Sequence, residues 1–316
     1  MRRHRPAAAG GALLAPALAL ALLALPRQAP ASDDGGQAEA WTQQQIGARS
    51  EALGGAVAAL VADPFAVQWN PALFGTMDQW HVSAFSALLP DTSSLEYAGY
   101  AAEAGPGADW GWGLDYAQQN TGGLEARSAN TPGPDSIVPD SASLFRLGMG
   151  YWLPGHWLAL GADLKLYSHA LDGATANGFS EDLGALWRAR SWLDLGLDLG
   201  DPLSVVTWST GRGEALPVSA RLGSVARALG GRLAFSADLA FSTAEDPQLH
   251  LGFEFWPWAG ALALRAGVDN GQLAAGLGAR ATVFGTRVAL DYAASTDSSG
   301  SGQLLNRLSL DLGFDL

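Results

Sequence analysis

The chain has 316 residues, of which 48% are hydrophobic and 16% are charged, and it carries 18 Lys and Arg against 31 Asp and Glu. Its net charge of −13 argues against nucleic acid as a partner, because binding to phosphates requires a basic surface. It contains no cysteine, which excludes disulfide bonds and thiol chemistry.

The first 31 residues have the pattern of a secretion signal. Arg2, Arg3 and Arg5 precede an apolar run from Gly11 to Leu25, and small residues lead up to a cleavage site after Ala31. The alternative is a retained membrane anchor. We expect a cleaved signal peptide instead, because the run is short and no basic flank follows it.

The next two segments precede the first predicted strand. Residues 32–45 are polar, and we expect them to form a periplasmic segment. Residues 46–77 are apolar and rich in Ala and Gly. Because Asn70 precedes Pro71, its backbone is expected to be extended, and its amide can bond backbone groups where the segment turns into the first strand. The residues expected to pack this segment and to form that joint are Gly54, Gly55, Asp63, Trp69, Asn70 and Pro71.

From Trp80 onward the hydrophobic pattern has a period of two, which is typical of strands. Over residues 158–167 and 308–316, apolar side chains alternate with charged residues and glycine. In a soluble sandwich the apolar face would be the core, whereas in an outer-membrane barrel it faces lipid. The expected strands are 79–89, 94–103, 109–118, 142–153, 156–168, 179–189, 191–199, 216–227, 231–242, 247–256, 259–268, 271–282, 285–295 and 304–316.

The connections between these strands alternate in length. Those after odd-numbered strands include the long polar stretches 119–141, 169–178, 200–215 and 296–303, whereas those after even-numbered strands are tight. The shorter connections near 90–93, 243–246 and 269–270 also follow odd-numbered strands and are exceptions. Short periplasmic turns and longer external loops are typical of outer-membrane barrels. No segment after the signal reaches the about 20 apolar residues of a spanning helix, so only a closed barrel could cross a membrane.

Tryptophan marks one end of the predicted barrel. Eight of the twelve tryptophans lie beside the short connections, as expected for an aromatic girdle at the periplasmic interface. They are Trp110, Trp112, Trp152, Trp157, Trp187, Trp192, Trp256 and Trp258.

The predicted fold is all-β: a fourteen-stranded antiparallel transmembrane β-barrel over residues 78–316. Such a barrel is about 28 Å wide, and its small inward side chains cannot fill the lumen. We therefore expect residues 46–77 to enter the lumen as an N-terminal plug. The alternative is an amphipathic periplasmic helix lying outside the barrel.

The sequence offers little support for an enzyme. The histidines that follow the signal lie in no G-x-S-x-G context, and there is no H-E-x-x-H or paired-histidine spacing for a metal. We therefore expect no catalytic residues, no metal and no cofactor.

Charged side chains on the polar faces of the strands are candidates for ligand binding. One hypothesis is that a few cations hold the head group of an amphipathic ligand in the lumen. The alternative is that they form cross-strand ion pairs that hold the barrel and plug together. The candidate ligand-binding residues are Arg146, Lys165, Arg265, Arg280 and Arg307.

Short motifs in order along the chain resemble the PorV/PorQ family, which is similar to the long-chain fatty-acid transporter (FadL) barrels. The N-terminal motifs are Gly47-Ala48-Arg49, Leu53-Gly54-Gly55-Ala56, Ala62-Asp63, Ala66 and Trp69-Asn70-Pro71-Ala72. Later ones are Glu96-Tyr97-Ala98, Leu164-Lys165, Asp172-Gly173, Asp182-Leu183-Gly184-Ala185-Leu186, Leu264-Arg265-Ala266-Gly267, Leu290-Asp291-Tyr292-Ala293 and Arg307-Leu308-Ser309-Leu310. Pro64, Leu73 and Leu316 depart from the family pattern. The resemblance implies a fourteen-stranded barrel with an N-terminal plug.

Two functions follow from this resemblance. The first is passive uptake or binding of hydrophobic or amphipathic small molecules in the bacterial outer membrane. The second is a PorV-like envelope component that docks protein partners, for example of a secretion system, without transporting solutes. The expected partners are outer-membrane lipid, the barrel assembly machinery and either a hydrophobic small molecule or a secretion-system protein.

Overall fold

The computed structural model describes residues 38–89, 93–103, 107–128, 130, 132–258, 260–296 and 303–315. The expected signal peptide and its cleavage site lie outside these ranges. Short helical elements occur mainly at the N-terminal end of the described chain, and none of the helices in the described residues is long and apolar enough to cross a membrane. These elements are the helix α1 (Ala48–Ala52) and the 3-10 turns Ala40–Gln43, Ala66–Trp69, Pro71–Thr76 and Leu229–Gly231.

Fourteen antiparallel strands form a closed barrel, as the alternating pattern predicts. The first and last strands pair from Trp80 with Phe314 to Leu88 with Asn306, and this pairing closes the ring. The strands are β1 (Trp80–Leu88), β2 (Ser94–Glu103), β3 (Trp110–Thr121), β4 (Asp140–Trp152), β5 (Leu158–Leu171), β6 (Ala174–Arg190), β7 (Leu193–Trp208), β8 (Ser219–Ala228), β9 (Leu233–Ser242), β10 (Gln248–Trp258), β11 (Leu262–Asp269), β12 (Gln272–Val283), β13 (Thr286–Thr296) and β14 (Leu304–Phe314).

The two faces of the strands differ as predicted for a transmembrane barrel. On β5, Leu160, Leu164 and Leu166 point outward and are exposed, whereas Asp163 and Lys165 point into the lumen and are buried. The same alternation recurs around the ring and gives the barrel an apolar outer band. The predicted fourteen-stranded antiparallel barrel is confirmed.

The two ends of the barrel also differ. The end with the connections after even-numbered strands is called the turn end, and the opposite end is called the loop end. Five of the eight tryptophans beside the short connections are exposed, whereas Trp152 and Trp256 point inward and are buried. The exposed five are Trp110, Trp157, Trp187, Trp192 and Trp258.

Two of the long connections expected at the loop end are shorter than predicted. Strand β5 continues to Leu171 and β6 already begins at Ala174, so the two strands meet at Asp172-Gly173, where both residues have positive φ. An Asp-Gly pair favours this two-residue hairpin turn. Likewise β7 continues to Trp208 instead of ending at residue 199. These extensions were predicted as loops because their side chains no longer alternate between apolar and polar.

A bulge interrupts the pairing of β6 with β7. Ser180 pairs with Ser204, and the next aligned pair is Asp182 with Gly200. Three residues of β7, 201–203, therefore lie opposite the single residue Glu181. The middle one is Pro202, which cannot donate a backbone hydrogen bond and is confined to bulges or edges of sheets.

The N-terminal segment fills the lumen, as the fold prediction required. Leu53, Leu73 and Phe74 are fully buried against the barrel wall. The backbone of the segment also contacts the wall at inward-facing glycines, and a Cβ at Gly161 or Gly196 would overlap it. The alternative of an amphipathic helix outside the barrel is wrong, because the apolar surface of this segment is buried in the lumen.

The expectation of a periplasmic segment over residues 32–45 requires correction. Residues 32–37 lie outside the described part of the chain, but Trp41 is buried inside the barrel. Gln44 Nε2 donates to Gln119 Oε1 over 2.6 Å, at the loop end of β3. Residues 38–45 lie in the lumen because the apolar indole ring of Trp41 is buried there and because Gln44 bonds a side chain of the wall.

Candidate binding site in the lumen

Asn70 joins two parts of the N-terminal segment to the wall. Its side chain is fully buried, and its Nδ2 donates to the carbonyl oxygens of Ala58, at 2.7 Å, and Ala185 of β6, at 3.0 Å. Its Oδ1 accepts from the backbone N–H of Ala72 at 3.0 Å. The backbone of Asn70 is extended, with φ −171° and ψ 104°. The amide thus uses both its donor and acceptor capacity in one joint.

Pro71 and Trp69 flank this joint. Pro71 begins the 3-10 turn that Asn70 caps, and its backbone lies directly against Gly161 of β5. The guanidinium of Arg221 lies over the ring of Trp69, 4.2 Å from its centroid. This distance is typical of a cation–π contact.

Gly54 and Gly55 form a tight bend against the opposite wall. Both have positive φ, at 60° and 76°, and a Cβ at Gly54 would overlap the backbone of Val268. The carbonyl oxygen of Gly55 accepts from Arg221 Nη1 at 2.9 Å. These two positions combine a left-handed backbone with a close approach, which only glycine tolerates without strain.

Asp63 contributes to an ion-pair network between the segment and the wall. Its carboxylate lies 3.0 Å from Arg49 Nη1 and accepts from the backbone N–H of Phe65 at 2.9 Å. Arg49 also makes a bidentate pair with Glu254 of β10, at 2.9 and 2.8 Å. A buried bidentate pair fixes geometry as well as charge.

The candidate cations of the lumen are mostly paired with carboxylates. Arg265 contacts Glu254 at 2.7 Å and Asp291 at 2.6 Å. Arg307 contacts Glu51 of the N-terminal segment at 2.6 Å. Both arginines therefore stabilise the contact network around the segment, and their role in ligand binding stays a prediction.

The remaining candidates differ in their partners. Arg146 lies 3.6 Å from Asp115 and 3.4 Å from Asp163. Arg280 has no ion pair within the described residues, and its guanidinium lies 4.6 Å from the ring centroid of Trp256. Both positions face the lumen, and their role in ligand binding stays a prediction.

Lys165 is held between two carboxylates at the bulge. Its Nζ lies 2.7 Å from Asp182 and 2.6 Å from Asp201, and all three side chains are buried. The lysine thus crosses from β5 over β6 to the bulged part of β7. Because two carboxylates share one ammonium group, one negative charge of this cluster is not neutralised by Lys165.

Carboxylates at the bulge satisfy backbone groups that the interrupted pairing leaves free. Asp163 accepts from the N–H of Asp182 at 3.2 Å, and Asp182 accepts from the N–H of Asp201 at 2.9 Å. On the outer face, Glu181 has a hydrogen bond with the backbone of Leu203. Three side chains therefore replace strand–strand hydrogen bonds that the bulge removes.

A cavity of about 60 Å³ lies between the N-terminal segment and the wall beside this bulge. We call it the lumen cavity. Its floor includes Gln68 and Trp69 of the segment, and its rim includes the exposed Glu245 and Asp246 at the loop end. The wall residues that line it are Leu144, Arg146, Lys165, Asp182, Asp198, Gly200, Asp201, Ser219, Ala220, Arg221, Ala240, Phe241, Ser242 and Gln248.

The sequence did not single out several residues of the cavity. Asp198 lies on the same inward face of β7 as Asp194, and strict alternation over residues 193–199 was the signal that could have identified it. Asp201 fell in a predicted loop, because Pro202 marks the end of a simple strand. Gln68 carried no signal, since its position depends on how the segment folds in the lumen.

No family model matches the sequence, and no curated protein matches it either. Solved structures with a similar fold include the CymD monoaromatic hydrocarbon channel, at 11% identity and a TM-score of 0.62, covering 86% of this chain and 98% of that one.

Two further solved structures have the same fold. They are a deltaS2 mutant of the TodX monoaromatic hydrocarbon channel, at 13% identity and a TM-score of 0.57 over 84% and 96% of the two chains, and a Pseudomonas aeruginosa FadL homologue, at 11% and 0.57 over 86% and 98%. At these identities the likeness shows a shared barrel fold.

Proposed function

We propose that this protein is a bacterial outer-membrane channel for hydrophobic or amphipathic small molecules. The observation that carries the proposal is the N-terminal segment, which fills the lumen and is bonded to the wall on several sides. A porin for hydrophilic solutes needs a continuous aqueous lumen, which this segment obstructs. The apolar outer band is consistent with a position in lipid.

The similar structures support the class of ligand. Two of them are described as monoaromatic hydrocarbon channels and one as a FadL homologue. An apolar molecule partitions into the membrane, so its passage does not require a continuous aqueous lumen. A narrow path between the barrel wall and the N-terminal segment is sufficient. Transport of such molecules is non-enzymatic, in keeping with the expectation that the chain has no catalytic site.

An uptake experiment tests this proposal. The protein is expressed in the outer membrane of a Gram-negative host, and uptake of radiolabelled 1-octanol is compared with uptake of a hydrophilic disaccharide. We expect faster uptake of octanol than in cells with an empty vector, and no change for the disaccharide. Octanol uptake at the rate of the empty vector would overturn the proposal.

The resemblance to PorV/PorQ proteins supports a second candidate, an envelope component that docks protein partners. It rests on the ordered sequence motifs, among them Trp69-Asn70-Pro71-Ala72. Specific cross-linking to a component of a secretion system in native membranes, together with no effect on octanol uptake, would favour it over the channel.

A further inference from the structure

Asp198 of β7 is a buried carboxylate without a partner. It faces the lumen cavity, and only 6% of its surface is exposed. None of the residues that the structure describes gives it a hydrogen bond or an ion pair, and its Oδ1 atom is shielded from solvent. A buried charge of this kind is costly unless a cation or a proton compensates it.

The nearest cations of the chain are bound elsewhere. Arg221 on β8 is the register partner of Asp198, but its guanidinium donates to the carbonyl oxygen of Gly55 in the N-terminal segment. Lys165 is held by the two carboxylates already described. Both cations therefore have closer partners than Asp198, and neither forms an ion pair with it.

The other carboxylates at the bulge have structural roles that Asp198 lacks. Asp163, Glu181 and Asp182 each bond a backbone group freed by the bulge, and Asp201 is ion-paired. Asp198 bonds no backbone group and lies in the regular part of β7, where the pairing with both neighbouring strands is intact. Its carboxylate is thus not needed to build the wall.

The surroundings of Asp198 have an excess of negative charge. Five acidic and three basic side chains line the lumen cavity. Two of the three cations, Arg146 and Arg221, contact carboxylates outside the cavity. At the rim, Glu245 and Asp246 are exposed and add to the negative potential that a positive ligand would meet on approach.

A second unused acceptor lies in the same cavity. The Oε1 atom of Gln68 is buried and has no donor, and only 8% of the residue is exposed. The ring of Trp69 lies beside it and already attracts one cation, Arg221, to its face. The lining also has buried donors without a hydrogen bond, which are Trp69 Nε1 and the Nε and Nη1 atoms of Arg146. A ligand that suits the two unused acceptors carries positive charge and several hydrogen-bond donors.

The size and shape of the cavity narrow the ligand further. No cluster of three His, Cys, Asp or Glu in the described residues is arranged to hold a metal ion. The volume of about 60 Å³ admits a compact head group but not an alkyl chain. Leu144 of β4 also lines the cavity and offers an apolar contact to the first carbons of a tail.

We infer that the lumen cavity binds the ammonium group of a cationic amphiphile, with Asp198 as its counter-charge and Gln68 as a second acceptor. An ammonium supplies three donors and one positive charge, which matches the two unused acceptors, the carboxylate of Asp198 and the Oε1 atom of Gln68. The inference rests on the proposed function for the apolar tail and specifies the head group. It differs from the sequence-based hypothesis, in which cations of the lumen hold the head group of the ligand.

Binding to the purified, full-length protein in a non-ionic detergent tests this inference. Isothermal titration compares octylammonium, 1-octanol and octanoate, which share one tail and differ in charge. We expect octylammonium to bind most tightly at pH 7. Asp198→Asn should weaken octylammonium binding at least about thirtyfold, because it removes one partner of a buried charge pair. Asp194→Asn, on the same face of β7, is the matched control and should leave the affinity unchanged.

Two results would overturn the inference: equal octylammonium affinity in the parent and in Asp198→Asn, or octanoate binding as tightly as octylammonium. A competition experiment uses the unmodified protein and therefore does not depend on any variant. We expect that octanoate does not displace bound octylammonium. A failure of the uptake proposal appears separately, as unchanged octanol uptake by cells, and does not alter this comparison of head groups.

Discussion

The side-chain amide of Asn70 donates a hydrogen bond to the carbonyl oxygen of Ala185, 3.0 Å away in the middle of the barrel wall. An interior carbonyl of a strand normally bonds only its neighbouring strands, so this contact ties the N-terminal segment to β6 itself. The same amide holds Ala58 and Ala72 of the segment. One residue thereby fixes both the shape of the segment and its position.

Asn70→Ala should destabilise the folded barrel by about 1–3 kcal/mol, because it leaves buried backbone groups without a partner. Urea unfolding in lipid vesicles, followed by tryptophan fluorescence, measures the change. Asn120→Ala, at the loop end of β3, is the control and should fall within about 0.5 kcal/mol of the parent. Equal effects of the two substitutions would contradict the assigned role of Asn70.

Gly161→Val should displace the turn at Pro71 from the wall, because a side chain at this position overlaps the backbone of the segment. We expect ion conductance in planar bilayers where the parent shows little. Gly213→Val, at a position with open space around it, should conduct like the parent. A folded, inserted Gly161→Val protein with the conductance of the parent would argue against a lumen closed by this segment.

Leu310→Arg on the outer face of β14 should cost about 2–4 kcal/mol if it lies near the middle of the membrane. Ser168→Arg, on the outer face of β5 at the loop end, should cost only about 0–1 kcal/mol, since the charge reaches the interface. Unfolding in vesicles gives both values. Similar costs at the two sites would mean that the apolar outer band does not contact lipid.

Glu181→Gln should stabilise the barrel in lipid. The carboxylate of Glu181 lies on the outer face, where Phe179, Leu183 and Leu203 around it are exposed and apolar. Glutamine keeps an acceptor for the backbone of Leu203 and removes the charge, which lipid disfavours. We expect a higher urea midpoint in vesicles for this variant, and a midpoint below that of the parent would contradict a lipid-facing position.

Local patterning was sufficient to predict the regular parts of the fold. The alternation over residues 158–167 and the tight turns fixed the strands and their number, because each strand has one apolar face. The ends of β5, β6 and β7 were not predictable in this way. In these extensions apolar and polar side chains no longer alternate strictly, as in Leu203-Ser204-Val205-Val206 of β7, so the only local signal was the Asp172-Gly173 turn.

The interior of the lumen was harder to predict than the wall. The alternation of side chains along each strand predicted that Lys165 and Arg265 point inward. It could not show which carboxylates they contact, because those carboxylates lie on other strands. Pro202 obscured the bulge, because proline normally ends a strand. Asp198 became distinctive only when the partners of its neighbours were known, and that requires the three-dimensional arrangement.

The ion pair between Glu51 and Arg307 bears on how the barrel is assembled. Glu51 belongs to the first part of the described chain and Arg307 to the last strand, so their contact forms only after the entire intervening chain has been delivered. Contacts between such distant residues form slowly, because a long loop must close first. Before the N-terminal segment docks, Arg307 faces the open lumen from β14, the strand that pairs with β1 to close the ring, and docking buries it against Glu51. Docking of the segment onto β14 is therefore a late step, and Glu51 stays without this partner until the last strand has been delivered.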